Sequence, residues 1–385
     1  MLLPVYKKWS IRPEKAEGSW LTSEDGITYL DMTSGIGVVN LGHNNNEVKE
    51  AVKHQLDQYW HTSNLFQIPI QEKVADQLVK ISKLGAVFFC NSGTEANEAA
   101  IKLARKATGK KKIITFLQSF HGRTFGSMAA TGQKCIHEGF GPILDGFEYV
   151  PYNDFSAVKN AMDEDTAAVM IEMIQGEGGV IPAQADFICK LSELCKQEKI
   201  LLIIDEVQTG MGRTGFPFNY LKYSDVHPDI VTAAKGLGNG LPIGAMIVEE
   251  SLKDVFGIGG HGSTFGGNPV SLAAGQVMLK RISNAEFMNE VQGKSKWFMS
   301  ELSKMSEQIP LIKEVRGEGL MIGIELNTDA AACVQKLQEK KILVLTAGNK
   351  VIRVLPPLTI TKEEMQIALN GFKDVFAALK IPITK

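Results

Sequence analysis

Ile200-Leu201-Leu202-Ile203-Ile204-Asp205-Glu206-Val207-Gln208-Thr209 is the stretch on which the reading of the chain turns. Five apolar residues closed by an acid suit a β-strand buried on both faces, and such strands belong to parallel sheets covered by helices. Open sheets of that kind bind ligands beyond the carboxyl ends of their strands, which is where Asp205 falls. An acid in that place needs a cationic partner, and a protonated pyridine nitrogen or a metal ion would serve. A helix cap is the plainer alternative, and the strand alone does not separate the three.

Further runs of the same kind lie on either side. Ala86 to Cys90, Lys112 to Phe116, Ala167 to Glu172 and Ile230 to Ala234 are short, apolar and flanked by turn residues. Helical periodicity fills the intervals, most clearly from Glu95 to Thr108, where Ala99, Ala100, Leu103, Ala104 and Ala107 form one face. From about Lys49 to Glu249 the chain therefore reads as an α/β domain on a mostly parallel central sheet flanked by helices. The first 48 residues differ, with a hairpin expected around Glu24-Asp25-Gly26. After about Leu279 the pattern changes again, to a helix over Ser283 to Ile309, strands at Gly319 to Leu326, Ile342 to Leu345 and Val351 to Leu355, and a closing helix from Thr361 opened by Thr-x-x-Glu. Both ends together are expected to build a smaller α+β domain, giving the division 1–48, 49–279 and 280–385.

Composition narrows the function. The 385 residues carry 41 Lys plus Arg against 43 Asp plus Glu, a formal net charge of -2, so no basic excess invites a nucleic-acid backbone. Five cysteines are too few for a disulfide framework and point to a reducing, cytoplasmic setting. Lys7 and Lys8 interrupt the start before any secretory apolar core, and the uncharged stretch Val255 to Leu279 carries seven glycines, unlike a membrane span.

Two more strand ends bear chemistry. Asn91-Ser92-Gly93-Thr94-Glu95-Ala96-Asn97 follows a strand and opens a helix, so its free backbone N–H groups suit a phosphate, although Ser92 as a plain helix cap explains it equally. Ile230-Val231-Thr232-Ala233-Ala234-Lys235-Gly236-Leu237-Gly238 puts one lysine beyond another apolar strand, ahead of a glycine-rich loop. A lysine in a poorly solvated pocket can lose its proton and attack an aldehyde; the plainer reading is a packed stem with a solvated ammonium. Together the phosphate cradle, the acid and the amine occupy equivalent positions in one sheet.

At this point the sequence resembles the fold-type I, pyridoxal-phosphate-dependent class III aminotransferases, in their ornithine/acetylornithine branch, over essentially the whole chain. Ile203 through Gly210, Gly212-Arg213-Thr214-Gly215 and Lys235-Gly236 look like that family's signature. Phe120-His121-Gly122-Arg123-Thr124 resembles its substrate loop, Gln175-Gly176-Glu177-Gly178-Gly179 its pocket loop, and His261 to Pro269 its dimer-crossing loop.

The resemblance implies pyridoxal 5'-phosphate joined to Lys235 as a Schiff base, with Asp205 pairing with the ring nitrogen and Lys235 moving the proton. It implies Gly93 and Thr94 at the phosphate, Phe120 and Val207 on the two ring faces, Gln208 at the ring hydroxyl and Glu206 beside the cofactor. Thr264 is implied to reach the phosphate from a second subunit with Ser263 beside the substrate, which makes a homodimer the active unit. Arg123 would grip the α-carboxylate of N2-acetyl-L-ornithine, and Arg353 a carboxylate of glutamate or 2-oxoglutarate, with Glu177 pairing with Arg353 when the amino donor is bound. The alternatives within this resemblance are an ornithine, 4-aminobutyrate or succinyl-diaminopimelate aminotransferase, an isomerase, or a non-catalytic cofactor-binding protein. Thr94 stands where alanine is common in the family.

Three decoys fall away. Cys189 and Cys195, six apart, face different sides of a helix, and Cys135-x-His137 lacks a second half, so no metal site is assigned. Gly293-Lys294-Ser295 has Met288 where a phosphate loop needs its first glycine. Gly236-x-Gly238-x-Gly240 is followed by Pro242 and a short strand rather than by the helix of a dinucleotide site. His121 is expected to orient its neighbours rather than to act as a base.

Overall fold

The computed structural model describes residues 1–379. Its largest sheet has seven strands in the order Ala86–Cys90, Gly244–Val248, Ile230–Ala233, Leu201–Asp205, Thr166–Glu172, Lys112–Phe116 and Phe147–Val150. Leu201–Asp205 runs parallel to both of its neighbours, while Gly244–Val248 is antiparallel to both of its own. The mostly parallel sheet read from the apolar runs is thus present, made mixed by that one antiparallel strand. Every residue of Thr166–Glu172, Ile230–Ala233 and Gly244–Val248 is buried, as expected of strands with helices on both faces.

Helix Gly93–Thr108 packs along the sheet through Ala96, Ala99, Ala100, Leu103 and Ala104, and small side chains there let helix and strands approach closely. Its ends obey local rules. Ser92 caps the start by accepting from the Glu95 N–H, Arg105 and Lys106 sit in the last turn, and Gly109 closes it in the left-handed region at φ +72.

The two ends of the chain meet in one sheet. Pro13–Glu17, Trp20–Ser23 and Thr28–Asp31 form an antiparallel meander, and Ile342–Leu343 adds to Thr28–Asp31 in parallel. A second antiparallel sheet orders Ile312–Glu318, Met321–Leu326, Val351–Val354 and Leu345–Ala347. Helix Lys362–Ala378 starts in the capping box expected of Thr361 and Glu364. The same Glu364 carboxylate also accepts from Ser19 Oγ at 3.0 Å and Trp20 Nε1 at 2.7 Å, tying the closing helix to the opening strands. Residues 48 and 279, where the sequence changes character, fall inside helices Asn46–Leu56 and Pro269–Ile282. A smooth apolar pattern runs across both points, so a hydropathy change marks them only to within a turn or two. Among the described residues no helix is long and apolar enough to cross a membrane.

Candidate active site

Strand polarity brings four sequence-distant residues together. Asp205 and Glu172 stand in register as the last residues of neighbouring parallel strands, Lys235 follows Ile230–Ala233 by two residues, and Gly93 opens the helix after Ala86–Cys90. All four line one cavity of about 420 Å³, a size suited to a small organic ligand.

Asp205 is buried, and its orientation is fixed from three sides. Oδ1 accepts from the Val207 N–H at 3.0 Å, while Oδ2 accepts from Asn97 Nδ2 at 2.8 Å and lies 2.8 Å from His121 Nδ1. A carboxylate only accepts, so the His121 proton sits on Nδ1 and leaves Nε2 buried without a partner. Burial works against a charge on His121, but the bond to Asp205 together with the negative charges of Asp205 and Glu172 outweighs it and raises the imidazole pKa. Asn97 is held in turn by Thr232 Oγ1, which donates to its Oδ1 at 2.7 Å.

Lys235 lies in the left-handed region at φ +43, a conformation that a non-glycine residue keeps only where its surroundings enforce it. Desolvation in the cavity lowers its ammonium pKa to about 8, and the Arg353 cation adds to the effect while Glu177 opposes it. The amine is therefore far easier to deprotonate than a surface lysine.

The helix start at Gly93 is shaped for close approach. A Cβ on Gly93 would lie 2.7 Å from Val207 Cγ1, so only glycine fits against this residue two places beyond Asp205. Ser92 takes the Glu95 N–H, and Glu95 reaches back to the Asn91 N–H at 2.7 Å. Helix geometry leaves the Gly93 and Thr94 N–H groups pointing out of the first turn. The Thr94 hydroxyl turns instead to Thr124 Oγ1 at 2.9 Å and to Ser127 Oγ.

Two arginines flank the cavity in opposite states. Arg123 is exposed at the wall, its guanidinium 5.7 Å from the Phe120 ring centroid, with no acid paired to it among the described residues. Arg353 is buried, donates from Nη1 to Glu177 Oε1 at 2.6 Å and to Gln208 Oε1 at 3.2 Å, and has a partnerless Nε. Glu177 and Gln208 line the cavity and stand between it and Arg353.

The remaining expected residues divide. Phe120 and Val207 line the cavity with Gln208. Glu206 does not: its carboxylate is fully buried behind the wall, accepting from the Tyr220 N–H at 2.9 Å and from Thr209 Oγ1 at 2.5 Å, and burial lifts its pKa to about 7. The alternation of a strand explains this, since successive side chains leave on opposite faces and Asp205 already takes the cavity side. Ser263 and Thr264 also lie outside this cavity: Ser263 Oγ accepts from Asn91 Nδ2 at 3.1 Å, and Thr264 is exposed. Asn97, Thr232 and Glu172 carry no role in the sequence reading. Glu172 bears the same mark as Asp205, an acid ending an apolar strand, whereas the Asn97 and Thr232 bonds depend on helix-to-sheet packing.

A pyridoxal phosphate group fits this set of donors. The fixed Asp205 carboxylate would suit a protonated ring nitrogen, the Gly93 face would admit a phosphate without a side chain in the way, and Lys235 lines the same cavity.

Residues 4–376 match the family model described as aminotransferase class-III. The acetylornithine aminotransferase of Listeria innocua is 52% identical over 374 residues, covering 97% of each chain. That of Bacillus subtilis is 52% identical over 377 residues, covering 98% of this chain and 97% of its own. An ornithine aminotransferase structure from Toxoplasma gondii, with pyridoxal phosphate at partial occupancy in its active site, superposes with a TM-score of 0.93 at 31% identity, covering 97% of this chain and 91% of that one. The N-acetylornithine aminotransferase structure from Stenotrophomonas maltophilia gives 0.84 at 37% identity, covering 97% of both.

Proposed function

The chain belongs to the class-III aminotransferases, and from that premise we propose that it moves the δ-amino group of N2-acetyl-L-ornithine to 2-oxoglutarate, giving N-acetyl-L-glutamate 5-semialdehyde and L-glutamate in arginine biosynthesis. The observation that carries the substrate reading is the pair of arginines, one free at the wall of the cavity that holds Lys235 and one behind that wall, neutralised by Glu177. One enzyme that handles a monocarboxylate donor and a dicarboxylate acceptor in turn needs one permanent carboxylate grip and one that can be masked.

When bound, pyridoxal 5'-phosphate supplies an aldehyde for amine exchange and an electron-poor ring that accepts the electrons of a broken C–H bond. Lys235 Nζ would hold the group covalently, and its free amine would serve as the base for the proton on the amine-bearing carbon. Asp205 keeps the ring nitrogen protonated, and His121 and Asn97 keep Asp205 from rotating away. The Gly93 and Thr94 N–H groups would take the phosphate, Phe120 and Val207 would pack against the ring, and the Gln208 amide would donate to its hydroxyl. Arg123 binds the donor's α-carboxylate; Glu177 swings off Arg353 when the acceptor's second carboxylate arrives. Thr264 and Ser263 complete the site of a second copy, making a cytoplasmic homodimer the working unit. The division at 1–48, 49–279 and 280–385 separates the large cofactor-binding part from the part built by both ends.

Visible spectra of the cofactor-loaded protein test the substrate. N-acetylornithine should convert the cofactor to its amine form more efficiently than ornithine, 4-aminobutyrate or succinyl-diaminopimelate, and 2-oxoglutarate should restore the starting spectrum. A higher efficiency with any other donor reassigns the substrate within the same family.

A further inference from the structure

Glu172 has no part in the chemistry above, yet it lines the cavity beside Asp205. It is 8% exposed and has no cationic side chain within ion-pair distance among the described residues. A buried carboxylate without a counter-ion is costly unless hydrogen bonds hold it. Its two oxygens find them on different segments: Oε2 accepts from the Phe120 N–H at 3.0 Å and Oε1 from the Gly176 N–H at 3.4 Å.

Those two amides sit next to the groups that handle substrate. Phe120 precedes His121, the partner of Asp205, and packs against Arg123; Gly176 precedes Glu177, the partner of Arg353. A second tie runs the same way, since Gln175 Nε2 donates to the Leu117 C=O at 2.9 Å. Tyr152 Oη donates to the Glu172 C=O at 2.6 Å, so the strand end that carries the carboxylate is itself anchored.

We propose that Glu172 is a positioning residue that fastens the 117–124 segment to the 173–179 segment, so that Arg123 on one and Glu177 on the other keep a fixed spacing across the cavity. The roles given to Arg123 and Glu177 rest on the function proposed above; the fastening itself does not. Burial pushes the Glu172 carboxyl up to about 7, with His121 pulling it down and Asp205 pushing it further up. A protonated carboxyl loses one acceptor and weakens the fastening, as an amide does.

Glu172→Gln keeps the shape but turns an NH2 group toward one of the two backbone N–H groups. In the cofactor-free protein, amide hydrogen exchange should quicken by about tenfold in both segments together, the effect of losing one hydrogen bond of this kind. In the loaded enzyme, KM for N-acetylornithine and for 2-oxoglutarate should both rise by about tenfold while kcat stays within about threefold. Unchanged exchange, a change confined to one segment, or a lower melting temperature with both KM values intact would overturn the proposal. If Glu172→Gln does not fold, Gln175→Leu cuts the neighbouring tie and should quicken exchange in both segments; no change there overturns it equally. Should the wild-type enzyme reject N-acetylornithine, the substrate reading fails while the exchange result still judges the fastening.

Discussion

Asp205 is held by three donors, so for the proposed pairing with a ring nitrogen its carboxylate is already oriented. Asp205→Ala should leave the cofactor bound through its phosphate while lowering kcat at least about a hundredfold; near-normal turnover would refute the pairing. Asn97→Leu removes the donor to Asp205 and orphans Thr232 Oγ1, and should cost about 2 kcal/mol in a denaturant titration besides slowing turnover. For Lys235 the sign of the pH effect follows from desolvation: below about pH 8 the ammonium cannot attack an aldehyde, above it the amine can. The rate of cofactor linkage to cofactor-free protein should therefore rise with a midpoint near 8, and a midpoint near the ordinary lysine value would contradict the cavity's effect. Asp205, Lys235 and Gly93 were legible in the sequence because each ends or follows an apolar strand. The Glu206 position was not: the signature places it beside the cofactor, and strand alternation turns it behind the wall.

Among the elements, those bounded by local chemistry were read most closely. The Thr361 capping box and the Ser92 cap each satisfy helix-end groups through neighbours a few residues away, so spacing alone announces them. Ile312–Glu318 carries no strand signal in the sequence, because exposed Lys313 and Glu314 interrupt its apolar alternation. Long-range use of the same residues is invisible in one dimension: Glu364 caps its helix and also binds Ser19 and Trp20. Glu364→Ala should accordingly destabilise the protein by about 2 kcal/mol, more than a cap of roughly 1 kcal/mol alone, and a loss of only about 1 would mean that the cross-chain bonds contribute nothing.

For the whole molecule, one internal joint is Arg213, which is fully buried and pairs with no acid among the described residues: Nη1 donates to the carbonyls of Leu320 at 3.0 Å and Pro356 at 2.5 Å, and Nη2 to Asn40 Oδ1 at 2.6 Å. One side chain thus joins the signature loop to both ends of the chain, a role that its place in a family motif does not disclose. The proposed sharing of sites between subunits has a direct check. Lys235→Ala and Thr264→Ala subunits, each nearly inactive alone, should recover roughly a quarter of wild-type activity when mixed, because one site in each mixed dimer is intact; no recovery would place Thr264 outside the partner's site. The proposed chemistry depends on one lysine sharing a cavity with the acid, the helix start and Arg123. Borohydride reduction of the cofactor-loaded protein followed by peptide mass mapping tests that most directly: the account predicts the cofactor's mass on Lys235, and a label on any other lysine would contradict it.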